Sequence, residues 1–218
     1  MTNDMSKIAH HVPENMLVAY AAGTLPYAFE LVVAAHVSVC DECRAQLGAV
    51  ECAGGAVLDE TGAANLSDGL RNRILDDLDA PENAPAAMPA PTGEDPYPAP
   101  VFQAMGERAP RWRSVGLGVK QAILHADTTG SVRLLKIPQG QAMPDHSHGG
   151  LELTLVLQGS FHDETGQFNT GDLEIADDTL EHTPVAGNEC PCICLAATDA
   201  PLVFKGLMPR LAQRFFRI

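Results

Sequence analysis

Along the first 80 residues apolar side chains recur at helical spacing, and proline and glycine punctuate them. After Pro13 the run Glu14-Asn15-Met16-Leu17-Val18-Ala19-Tyr20 predicts a first helix, closed by Gly23. Pro26 opens a second, through Phe29, Leu31, Val32 and Val33 to about Val37. A third begins near Asp41 and runs past Leu47 and Val50. Ser67 caps a fourth, in which Leu70, Ile74 and Leu78 repeat at helical spacing. Beyond residue 100 the pattern changes to short apolar or alternating runs at 132–137, 153–157, 173–176, 193–197 and 202–204, separated by Pro138-Gln139-Gly140, Gly159, Gly166 and Gly171-Asp172. These read as strands of an all-β barrel or jelly roll. Residues 81–100 hold seven prolines and almost no large aliphatic side chain, so they predict a linker that builds neither a helix nor a central strand. The expected organisation is therefore a multidomain α plus all-β chain: a small helical bundle over 1–80, a Pro-rich linker over 81–100 and a β-barrel over 101–218.

Composition sharpens this picture in two places. Of the formal net charge of −14, residues 1–80 carry −8, from four basic and twelve acidic residues. Such a surface repels nucleic acid and anionic lipid and favours a basic protein partner, although acidity for solubility alone explains it equally well. A DNA-binding zinc protein is correspondingly disfavoured. No apolar run approaches the roughly 20 residues of a membrane span, and the N-terminus lacks an apolar signal core, so a cytoplasmic protein is expected. The six cysteines, Cys40, Cys43 and Cys52 and then Cys190, Cys192 and Cys194, are clustered as for metal or thiol chemistry rather than as a secreted disulfide framework.

His36-Val-Ser-Val-Cys40-Asp-Glu-Cys43 falls where the second helix ends and the third begins. His36 and Cys40 are about one helical turn apart, and two cysteines separated by two residues form a common zinc bite. A structural zinc site closes with a fourth ligand, for which His10 and His11, just before the first helix, are both placed. The small helical core needs such a staple. A redox dithiol is disfavoured because the surroundings are helical rather than βαβ.

In the second half His146 and His148 stand at i and i+2, so both imidazoles share one strand face. Gly149 and Gly150 let the chain bend, and Glu152 opens the next strand. The segment resembles the first cupin motif, G(X)5HXH(X)3-4E(X)6G, at Gly140, His146, His148, Glu152 and Gly159. The second cupin motif is met at Gly171 and His182, with Asp177, Thr179 and Ala186 replacing its Pro, Gly and Asn. The resemblance implies that His146, His148, Glu152 and His182 hold a metal. Three imidazoles and a carboxylate suit Zn, Mn, Fe, Ni or Cu, and zinc is preferred only by the company of the N-terminal site. Cys190, Cys192 and Cys194 share a strand face and are expected as small buried hydrophobes, with oxidisable thiols near the metal as the alternative. His125 and His162 lack motif partners and are expected to be structural.

His11-(X)24-His36-(X)3-Cys40-(X)2-Cys43 resembles the zinc-binding anti-sigma domain, and with a downstream cupin the chain is similar to the ChrR group of anti-sigma factors. The resemblance implies His11 as the fourth zinc ligand. It further implies a non-enzymatic regulator that binds an extracytoplasmic-function-type sigma factor one to one and blocks its access to core polymerase and promoter DNA. The cupin is then needed for release under oxidant stress of the singlet-oxygen type. Leu70, Ile74 and Leu78 are a candidate sigma-contact face. Redox-switching members carry an extra cysteine early in the first helix, where this chain has Asn15. Sensing is therefore expected in the cupin. The competing class is a cupin metalloenzyme, a dioxygenase or isomerase, whose metal activates water or O₂ beside a helical regulatory domain. No nucleophile–base constellation outside the metal ligands supports it.

Overall fold

The computed structural model describes residues 8–67, 69–79, 96–200 and 202–204. Residues 81–95 of the linker expected over 81–100 lie outside these residues, as do 205–218 and the side chain of His148.

Five helices precede the strands: α1 (Glu14–Ala21), α2 (Tyr27–Val39), α3 (Asp41–Asp59), α4 (Leu70–Asp79) and α5 (Ala99–Ala104). Pro13 and Pro26 occupy the N-cap positions of α1 and α2. After α1 the chain turns through Gly23 at φ +64°, whose N–H donates to the Tyr20 carbonyl while Thr24 N–H donates to Ala19, which satisfies two end-of-helix carbonyls. α3 starts from an extended Cys40, whose Sγ accepts from the Cys43 N–H at 3.5 Å. A sulfur thus takes the place of the usual oxygen cap. α3 continues well past Val50, and its last turns leave Val57 and Leu58 exposed.

α2 keeps only a narrow solvent stripe through Tyr27, Glu30 and Ser38. Ala28, Phe29, Leu31, Val32, Val33, Ala35, His36 and Val37 are all buried, as expected of a helix enclosed on several sides. It packs on α1 and α3 on one side, and on α5 and the β-sheet on the other.

The strands are β1 (Arg113–Gly116), β2 (Val119–Ala126), β3 (Ser131–Ile137), β4 (His146–His148), β5 (Glu152–Gln158), β6 (Ser160–His162), β7 (Gln167–Asn169), β8 (Leu173–Ala176), β9 (Glu181–His182), β10 (Val185–Ala186), β11 (Cys192–Thr198) and β12 (Leu202–Phe204). They form a six-stranded antiparallel sheet in the order β1-β2-β3-β11-β5-β8 and two three-stranded sheets, β10-β6-β7 and β12-β4-β9. The apolar runs of β5 and β11 are explained by burial of both faces. Leu153, Leu155, Leu157, Ile193, Leu195 and Ala197 join one core with the helices. Val156, Cys192 and Cys194 instead join Val119, Ile137, Phe161 and Phe168 in a second core inside the barrel.

Helix α5 begins at Ala99, inside the stretch expected to exclude helix. Pro98 is its N-cap and Pro100 lies in its first turn, where a missing N–H breaks no helical hydrogen bond. Tyr97 and Val101 are buried against the helix-side core.

Because α2 and the barrel share that core, Leu155→Ala is expected to destabilise both halves by about 2–5 kcal/mol. Urea unfolding followed by far-ultraviolet circular dichroism and by the fluorescence of Trp112 should give coincident transitions, both shifted to lower urea.

Candidate metal centres

Four ligand-type side chains converge where the N-terminal segment, the end of α2 and the start of α3 meet. Nitrogen and sulfur atoms of His11, His36, Cys40 and Cys43 all lie within 4.8 Å of one another. His11 Nδ1 is 3.4 Å from Cys40 Sγ and 3.6 Å from Cys43 Sγ. Zinc–sulfur and zinc–nitrogen bonds in a tetrahedron give an edge of about 3.5 Å. His36 is fully buried, and neither ring nitrogen has a hydrogen-bond partner among the described residues. An imidazole so placed is costly unless something else takes its lone pair. Burial, reinforced by the His11 ring, lowers its pKa to about 4 against the opposing backbone of Gly171 and carboxylate of Asp172, so the ring is neutral and ready to coordinate. Burial pushes the Cys43 thiol up to about 11, a penalty that a bound divalent cation would reverse. These donors fit zinc. Glu42 supplies what the motif omits, with its Oε2 3.4 Å from His11 Nε2 and Nδ1 left for the metal. His10 points away from the cluster, its ring packed at a 41° tilt on Phe168 with centroids 4.5 Å apart.

The second site lies inside the barrel. A cavity of about 90 Å³ is walled by Val119, Leu135, Ile137, Met143 and Phe161, and His146, Glu152, Glu174 and His182 also line it. β4 pairs with β9 so that His146 is opposite His182, and the two ring centroids are 4.7 Å apart. His146 Nδ1 donates to the Pro144 carbonyl at 2.8 Å, and His182 Nδ1 donates to Asp163 Oδ2 at 2.6 Å. Nδ1 is thus the nitrogen engaged by these acceptors in both rings. Glu152 is braced by Thr154 Oγ1 at 3.1 Å. His146, Glu152 and His182 thus line one cavity together with the buried Arg133, but among the described residues these three do not form a group whose ligand-type atoms all lie within 4.8 Å of one another.

Two acidic residues around this site were missed. Asp163, in the turn between β6 and β7, accepts from Thr165 and Gly166 backbone N–H groups with Oδ1 and holds His182 with Oδ2. Glu174 Oε1 lies 3.3 Å from the same His182 nitrogen. Asp163, Glu174 and His182 form a second close group of ligand-type atoms. Burial raises Glu174 to about 7. Burial would lower His182, but the two carboxylates win and raise it to about 9, while hydrogen bonds hold Asp163 below the usual carboxylate range despite its own burial. A charged residue between Leu173 and Ile175 on a strand with a buried pattern was the available signal for Glu174.

The three cysteines of the β11 region part company. Cys194 lines the cavity, Cys192 Sγ lies 3.4 Å from Cys194 Sγ, and both are buried. The Cys192 contact and burial raise the Cys194 thiol well above its ordinary value. Cys190 is only half-buried, at the end of the sheet beside Gly159. His125 pairs with Asp127 at 3.0 Å and packs on Tyr27, and His162 is exposed.

Comparison with known proteins identifies the setting of these sites. The model of the ChrR cupin-like domain matches residues 104–200. An anti-sigma-E factor ChrR from Cereibacter sphaeroides is 54% identical over 213 residues, covering 97% of this chain and 99% of that protein. The chain belongs to the ChrR anti-sigma factor family. In a crystal structure of Rhodobacter sphaeroides SigE in complex with the anti-sigma ChrR, a chain 52% identical aligns with 88% of this one and 99% of its own length, at a TM-score of 0.75. A ChrR-family chain thus combines a helical N-terminal region with a cupin-like β-domain. None of its described helices is long and apolar enough to cross a membrane.

His36→Ala should lower bound zinc by one equivalent per chain in elemental analysis and weaken the helical region. Asp163→Ala should lower metal affinity at the barrel site by roughly 10- to 100-fold in competition with a chelator, since His182 loses its orienting partner.

Proposed function

We propose that this chain is a cytoplasmic anti-sigma factor that holds an extracytoplasmic-function-type sigma factor inactive in a one-to-one complex, and whose cupin domain serves release under oxidant stress. The observation that carries this reading is end-to-end similarity to a ChrR anti-sigma factor, over 99% of that protein's length. The related solved chain is in complex with SigE.

The helical region supplies suitable surfaces. On α4, Ile74 and Leu78 of the expected contact face are exposed and Leu70 is half-buried, with Leu75 beside them and Leu66 just before the helix also exposed. A mostly apolar groove of about 1050 Å³ runs between α1 and α3, lined by Val18, Ala21, Val50, Ala53, Val57 and Leu58 among others. Large apolar side chains collected on one region mark an interaction surface. A sigma factor, basic where it meets DNA, also suits the acidity of residues 1–80.

In this reading zinc at His11, His36, Cys40 and Cys43 holds the helices in their binding arrangement. A second metal, zinc or another borderline cation, sits at His146, His148, Glu152 and His182 and makes the barrel responsive to oxidants of the singlet-oxygen type. A bound metal there would supply an electrophilic centre, and His146 and His182 would present Nε2 to it. Membership of an anti-sigma family favours this over a metalloenzyme with a helical appendage.

The test is size-exclusion chromatography of the purified full chain with an extracytoplasmic-function sigma factor from the same organism. A one-to-one complex is expected. Cys40→Ala should abolish it, Ile74→Asp with Leu78→Asp should weaken it by about 2 kcal/mol or more, and His148→Ala should leave it intact while blunting the oxidant response. Failure of the wild-type chain to retain the sigma factor would overturn the reading.

A further inference from the structure

The segment that carries His11 is not held by the helices alone. Residues 8–10 run along the barrel at the start of β8, where Ala9 and His10 make polar contacts to the cupin, while His11 turns to Cys40, Cys43 and Glu42. Asp172 is nearly fully buried, and its Oδ1 accepts from the Ala9 N–H at 2.7 Å and from the His10 N–H at 2.9 Å. Its Oδ2 accepts from the Asn169 N–H at 2.8 Å, which fixes the carboxylate plane. The Leu173 N–H donates to the His10 carbonyl at 3.2 Å, so the arm continues the hydrogen bonding of the sheet. Side chains close the same seam. The His10 ring packs at a tilt on Phe168, and Ile8 lies so close to Gly171 that a Cβ there would come within 2.7 Å of it.

This clasp touches both metal centres. On one side, His11 follows the clasped residues directly, and the backbone of Gly171 and the carboxylate of Asp172 act on the His36 ring. On the other, Glu174, two residues along from Asp172, approaches His182 Nδ1 in the cavity. A stretch of four residues, Gly171 to Glu174, therefore spans the distance from the His/Cys cluster to the barrel site.

We infer that Asp172 is a positioning residue for the N-terminal zinc site: through the backbone of Ala9 and His10 the cupin holds the arm that delivers His11. The fourth ligand of the helical domain is thereby set by the other domain. A displacement of β8 in the barrel reaches the zinc through two hydrogen bonds, with no need for the linker. Coupling of this kind is reciprocal, so zinc at the N-terminal site also steadies β8.

The inference rests on the reading of His11, His36, Cys40 and Cys43 as a metal site, and cobalt distinguishes the two. Cobalt(II) bound to cysteine gives a thiolate-to-metal charge-transfer band, which the His/Glu site of the barrel lacks. In the full chain loaded with cobalt, the chelator concentration that bleaches this band should fall by roughly 10-fold in Asp172→Ala. Asp172→Asn keeps an acceptor for the Ala9 and His10 N–H groups and should recover most of the loss. His10→Ala leaves the cupin untouched and should shift bleaching in the same direction by less, which keeps the test decisive if Asp172→Ala folds poorly. Wild-type resistance to chelation in both Asp172→Ala and His10→Ala would overturn the clasp alone. Equal loss in Asp172→Asn and Asp172→Ala would also overturn it, by showing that the carboxylate charge rather than the acceptor matters. Absence of the band in the wild-type chain would overturn the metal reading and the clasp together.

Discussion

Helix α2 is buried on all but a narrow stripe through Tyr27, Glu30 and Ser38, and much of the molecule follows from that. A helix with Phe29, Leu31, Val32, Val33 and Val37 all buried needs more apolar cover than α1 and α3 alone provide. It is completed by the outer face of β5 and β11, whose Leu153, Leu155 and Leu195 are themselves fully buried. The helical region and the barrel are thus two halves of one apolar core. The same burial carries His36 to a place where water cannot satisfy its ring, next to Cys40 and Cys43 at the helix junction. Close packing and metal chemistry meet at one point because α2 supplies both.

The two candidate centres resolve buried polarity differently. At the helical junction the donors are neutral or reluctant to ionise, with a low His36 pKa and a high Cys43 pKa, so the site lacks the compensation that a divalent cation provides. In the barrel, carboxylates surround His182, and Asp163 and Glu174 stabilise its protonated ring in the absence of metal. A proton on His182 is therefore favoured in the barrel, whereas the candidate helical site offers buried neutral groups. Such an asymmetry suits a permanent staple in one domain and a responsive site in the other.

Much of the architecture was legible in the chain. Helix starts at Pro13 and Pro26, the change to strand periodicity after residue 100 and the strands 132–137, 153–157 and 193–197 are local signals, and local sterics produce them. β1, β2, β6, β7, β9 and β10 were not predicted, because most are too short or too mixed in burial to carry a clear apolar run or alternation. The spacing of His36, Cys40 and Cys43 was equally readable, since one helical turn and one capped helix start bring those three together. The choice between His10 and His11 was not readable from spacing: adjacent residues on an extended arm point opposite ways, and Asp172 and Phe168 decide which way.

By itself, then, the sequence determined the order of elements, the residue types able to bind metal and the separations that let neighbours in the chain share a face. These are properties of a few consecutive residues and need no fold. Only the tertiary structure decided that α2 is shared between domains, that Asp163 and Glu174 flank His182, that Cys194 and not Cys190 lines the cavity, and that the cupin grips the arm bearing His11. Each depends on contacts between segments far apart in the chain, and such contacts are set by which surfaces must be buried against one another.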